Sequence, residues 1–136
     1  MQANPYKQYR QTAVETASPE RLIIMLYEGA VKFINQAKIS MHEENIEETN
    51  KALIKAQDII SELMIGLNME AGEIAQNLYN LYDYFKQRLV EANTKKDDAI
   101  LDEILGHLVE LRDTWIEAAA KLKASSGVAN GVNIEG

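Results

Sequence analysis

Residues 18–41, SPERLIIMLYEGAVKFINQAKISM, decide how the whole chain is read. Ser18 has the side chain of a helix N-cap, and Pro19 sits where a first helical residue loses nothing by lacking an N–H. From there Leu22, Leu26, Ala30, Phe33 and Ala37 recur at steps of three and four, the spacing of one helix face. Ile23, Met25, Tyr27, Val31 and Ile34 widen that stripe, so the helix needs more than one neighbour. At 1.5 Å per residue it would run roughly 36 Å, the length of a bundle stave. Lys32, Asn35, Gln36 and Lys38 interrupt it too often for a membrane span.

The rest of the chain permits more helices of this kind. Its 136 residues suit one domain, and only Pro5 and Pro19 are prolines. Cysteine is absent, which removes disulfides and thiolate chemistry and fits a reducing compartment. The opening residues lack the apolar run of a cleavable signal, so a cytosolic protein is expected. The formal net charge is −7, against the clustered cations that nucleic acid requires. Residues 1–42 hold Lys7, Arg10, Arg21, Lys32 and Lys38 against Glu15, Glu20 and Glu28, a net +2, which leaves −9 on the remainder. A mildly basic N-terminal portion therefore precedes an acidic body.

Residues 1–17 are too short to fold alone and form an arm, docked or mobile, with Tyr6, Tyr9 and Val14 as its large side chains. Beyond residue 42, Asn45 and Glu48 have the spacing of a capping box, and a second helix is expected over roughly 46–67. Its seam is Ile46, Leu53, Ala56, Ile60, Leu63 and Leu67, with Ile54, Ile59, Met64 and Ile65 lying off it. Gly66, Asn68 and Gly72 mark a break before a third helix over 70–93, with Ile74, Leu78, Leu81, Phe85 and Leu89 inward. Tyr79, Tyr82 and Tyr84 are spread around this helix, so not all of them can face the core. A fourth helix starts after a cap at Thr94 or Asp97 and ends near Lys123, with Leu101, Ile104, Leu108, Leu111, Trp115, Ala119 and Leu122 as its seam. Residues 125–136 have neither periodicity nor bulk and are expected to be disordered. Four such helices with short links predict an all-α, antiparallel up-down four-helix bundle over 18–124.

Chemistry is sparse. A carboxylate di-metal bundle needs paired Glu-x-x-His motifs, and neither His42 nor His107 supplies one. The apolar and acidic neighbours of His107 suit a phosphoryl carrier poorly, and no phosphate loop or nucleophile elbow can be assembled. No enzyme activity and no cofactor are expected. The positive signal is apolar and aromatic surface in excess on helices two and three. A filled core, a weak homodimer of a structural bundle, or a groove for a partner's amphipathic helix would each use it.

Several stretches resemble the flagellar export chaperone FliS family: NPYKQY at 4–9, VETASPERLIIMLYEGAVKFI at 14–34, LIKAQDIISEL at 53–63, LYDYFKQRLVEAN at 81–93 and LRDTW at 111–115. The resemblance implies a helical bundle that binds the C-terminal segment of flagellin, prevents premature polymerisation and presents the client to the type III export apparatus at the cytoplasmic domain of FlhA. It also implies that the arm, through Tyr6 and Tyr9, covers the client groove when empty and contributes to export-gate contact when displaced. For client contact, Ile54, Ile65, Tyr79, Tyr82 and Phe85 are expected, because helices two and three have apolar side chains to spare.

Overall fold

Ser18 begins the first helix as its cap: its Oγ accepts from the Arg21 N–H at 3.2 Å, and Pro19 opens the first turn. The computed structural model describes residues 18–135, with side chains through Ala124; the arm, including Tyr6 and Tyr9, lies outside the described residues. Four helices follow in order: α1 (Pro19–His42), α2 (Ile46–Ile65), α3 (Glu73–Lys95) and α4 (Asp98–Glu135), with a 3-10 turn (Met69–Ala71) between α2 and α3. α1 packs on α2 and α4, α2 on α3, and α3 on α4, which closes the square of an antiparallel up-down bundle.

The links are set by local chemistry. Asn45 Oδ1 accepts from the Glu48 N–H at 3.1 Å, as one half of a capping box would. The Asn45 N–H itself goes to the Ser40 carbonyl at 2.8 Å, and Glu48 pairs with Lys51. Gly72, at φ +85° and ψ −138°, delays α3 to Glu73, three residues later than the spacing of apolar side chains suggests. Asp97 Oδ1 accepts from the Ala99 N–H at 3.0 Å and so provides the cap of α4. That helix does not end near Lys123 but runs to Glu135, through the tail expected to be irregular. Extending a formed helix adds one hydrogen bond for each residue ordered and needs no new nucleus, so it can pass through residues with no periodicity of their own.

The core runs through Tyr27 and Ile34 of α1, Leu53 and Ile60 of α2, Phe85 and Leu89 of α3, and Leu101, Ile104 and Leu108 of α4. Thr49 is the buried polar side chain, and its hydroxyl donates to the Asn45 carbonyl at 2.8 Å. Gly29 lets α1 approach α2 closely, since a Cβ there would come within 3.0 Å of Ile59 Cδ1.

The seams read from periodicity hold through the middle of the bundle and fail toward one end. Leu22 and Leu26 near the start of α1, Leu67 just after α2, Leu78 early in α3 and Trp115 late in α4 are only half-buried. Ile74 and Leu122 are exposed at the same end. Ile46, exposed at the opposite end, is the exception.

Candidate client-binding surface

Where the four seams part, they leave an apolar cleft of about 310 Å³. Ile23 and Leu26 of α1 form one wall, Leu63 and Leu67 another, Ile74, Ala75 and Leu78 a third, and Trp115 of α4 closes it. Such a wall of carbon left accessible to water is what a partner's apolar face would cover. Ser18, the cap of α1, lies at the same end of the bundle.

A second apolar surface continues from the cleft along the outside of α2 and α3. Ile54 and Ile65 are 54% and 82% exposed, and their spacing of eleven residues puts them within about 20° on the helix. The flank of α2 that turns toward α3 is marked by Asn50, whose Oδ1 accepts from Lys96 Nζ at 3.0 Å; Ile54 lies just outside that line. On α3, Tyr79 and Val90 repeat the same spacing, 41% and 50% exposed. They lie on the opposite side of the helix from Tyr84 and Arg88, both of which bond to Glu103 of α4. Ile54, Ile65 and Tyr79 thus share one outer surface.

Tyr82 and Phe85 do not join it. Phe85 is fully buried, with its ring centroid 5.7 Å from that of His107, and belongs to the core. It cannot touch a partner without repacking of α3 against α4. Tyr82 is 1% exposed and lines the floor of the cleft, where its hydroxyl hydrogen-bonds that of Tyr27 across the bundle. Burial raises the pKa of both phenols above the ordinary value, so each is a neutral hydroxyl at physiological pH. The cleft itself has no signal in the sequence beyond apolar residues in surplus: periodicity puts Leu26 and Trp115 in packed seams and Ile23 beside one, with nothing to mark an opening.

The polar groups on the remaining surface act as ties. Glu103 accepts from Tyr84 Oη at 2.7 Å and from Arg88 Nε and Nη2 at 2.9 and 2.8 Å, joining α3 to α4. Lys38 pairs with Asp102 to join α1 to α4. Among the described residues no group of three or more His, Asp or Glu side chains could hold a metal ion, and no helix is long and apolar enough to cross a membrane.

Comparison with known proteins agrees with this geometry. Residues 2–122 match the family described as flagellar protein FliS. The flagellar secretion chaperone FliS of Bacillus subtilis (strain 168) is 43% identical over 115 residues, covering 85% of this chain and 86% of the relative. That of Salmonella typhimurium is 37% identical over 125 residues, 88% of this chain and 93% of the relative. A solved crystal structure of a flagellar chaperone from bacteria superimposes with a TM-score of 0.72 at 20% identity, over 86% of this chain and 99% of that one, which supports the bundle fold. An all-helical bundle with an apolar cleft, matched by the family model and by close relatives over most of its length, is a member of the FliS family of flagellar secretion chaperones.

Proposed function

We propose that this protein is a cytosolic chaperone that holds the C-terminal segment of flagellin against the apolar cleft and the outer stripe of α2 and α3. The observation that carries the reading is the parting of four apolar seams at one end, which leaves Ile74 73% exposed and Ile65 82% exposed in a chain of net charge −7. A segment built to polymerise carries an apolar stripe of its own, and covering it removes the surface that nucleates premature assembly. Burying each isoleucine of the stripe would contribute about 1–2 kcal/mol, set against the cost of ordering the client. The complex is therefore specific yet separable, and release at the cytoplasmic domain of FlhA needs no nucleotide.

In the empty state the arm, with Tyr6 and Tyr9, lies over the cleft. Tethering gives it an effective concentration on the order of millimolar, enough for weak contacts to shield carbon from water while a tighter client displaces it. Once freed, the arm contributes to contact with the export gate.

Titration of a synthetic flagellin C-terminal peptide into the full chain should give a one-to-one complex. Substituting Ile54→Asp and Ile65→Asp together should abolish it while the far-UV helical signal is kept, because both side chains are exposed and carry no core contacts. Undiminished binding by that variant would move the client off the α2–α3 stripe. Deleting residues 1–12 should leave affinity equal or higher, since a competitor is removed; a large fall would contradict self-shielding.

A further inference from the structure

Around the mouth of the cleft the charge has one sign. From Ala56 to Phe85, through the second half of α2, the 3-10 turn and the first half of α3, the chain carries Asp58, Glu62, Glu70, Glu73 and Asp83 and no lysine, arginine or histidine. Glu62 lines the cleft. Asp58 stands one turn before it on the outer face of α2, and Glu70 and Glu73 flank Ala71, another residue of the lining. All four are exposed. The cations bordering the other two walls, Arg21 on α1 and Arg112 on α4, already pair with Glu28 and Asp113. Residues 1–14, MQANPYKQYRQTAV, have the opposite pattern, with Lys7 and Arg10 each directly after a tyrosine and no acid among them. Arg10 stands eight positions before Ser18, a reach of up to roughly 26 Å for extended chain. Ser18 caps α1 at the cleft end, and bundle helices pack about 8–10 Å apart, so even the diagonal from α1 to the 3-10 turn falls within that reach.

We propose that Lys7 and Arg10 latch the arm to the acidic rim of its own cleft, at Glu62, Glu70 and Glu73, so that ionic strength sets how firmly the empty site is shielded. This rests on the reading of the arm as the cover of the empty cleft, and it names what holds the cover down. The tyrosines supply apolar contact and the cation beside each supplies the attraction. A second copy of the chain fits the rim less well, because a symmetric contact through this end would set one acidic rim against another. Single ion pairs on a surface are weak, and salt screens them; the tether is what lets two of them matter. The latch therefore holds at low ionic strength and yields as salt rises, whereas the apolar contacts of a client do not weaken in the same way.

Calorimetric titrations with the flagellin C-terminal peptide would read one quantity, the gain in affinity when residues 1–12 are deleted, on the unaltered body and on E70K/E73K. Comparing each body with and without its arm cancels any direct effect of the rim on the peptide, and both glutamates are exposed, so the bundle should keep its far-UV signal. At about 50 mM sodium chloride the gain should be roughly fivefold on the unaltered body. It should fall to within about twofold with K7E/R10E in the arm, with E70K/E73K in the body, or at about 500 mM salt. Combining K7E/R10E with E70K/E73K should bring the gain back, the signature of direct pairing between the two sets of charges. A gain that is the same in every charge variant and at both salt concentrations would make the cover purely apolar, which overturns the latch and keeps the shielding. A gain that grows with protein concentration would seat the arm on a neighbouring copy and overturn it too. No gain on any body would remove the shielding itself, and the latch with it.

Discussion

Gly72 joins the 3-10 turn to α3 at φ +85° and ψ −138°, a conformation that residues with a Cβ seldom adopt. Nothing lies within 4 Å of where a Cβ would stand, so the penalty for Gly72→Ala is backbone strain alone, about 1–3 kcal/mol of lost stability. Gly106 is equally open but lies within α4 on an exposed turn, and there Gly106→Ala should raise stability by about 0.5–1 kcal/mol. Thermal melts of the two variants should move in opposite directions. The break at Gly72 was readable because glycine beside an Asn-bearing turn is a stop signal. The fates of the three α3 tyrosines were not. Apolar residues surround that helix, so periodicity says that some must face outward without choosing among them. Packing puts Tyr82 on the cleft floor and leaves Tyr79 and Tyr84 exposed. Phe85, expected to meet a client, takes the core place opposite His107.

α3 and α4 are tied at their flank by the Tyr84, Arg88 and Glu103 cluster, with Glu91 bridging Arg88 and Lys95. The Tyr84 hydroxyl, and then Arg88, hold the Glu103 carboxyl below the ordinary 4.5 of a glutamate. Lys95, and then Arg88, do the same for Glu91. A carboxyl whose pKa is depressed in the folded state adds stability above its ordinary value and loses it as pH falls through the lowered one. Unfolding midpoints should therefore decline as the buffer is taken below about pH 4.5, and Glu103→Gln should flatten that decline. The groups are partly exposed, so added salt should weaken the same contribution. The tie between the helices has no signal in the sequence: Arg88 and Glu103 lie on different helices, and only the register between α3 and α4 makes them neighbours, whereas Arg88, Glu91 and Lys95 stand at steps of three and four on α3 itself.

In the assembled bundle, the largest buried side chains of α4 end at Leu108, with Leu111 and Trp115 packed against the core from its edge. We propose that the bundle proper closes by residue 124. Removing residues 125–136 should then shift the unfolding midpoint by no more than about 3 °C, whereas truncation before Trp115 should lower it sharply and loosen the cleft. Ser18 and Pro19, Asn45, Gly72 and Asp97 act through their immediate neighbours in the chain, and this is why helix number, order and, except at the end of α4, approximate limits could be read from the residues alone, along with the central seam of Leu53, Ile60, Leu89, Leu101 and Leu108. Leu26, Leu67, Ile74 and Trp115 obey the same periodicity, yet they line an opening instead of a core. Periodicity says which way a side chain turns about its own helix axis; whether anything stands opposite depends on where the neighbouring helices begin, end and approach, and that offset arises only when the four pack together.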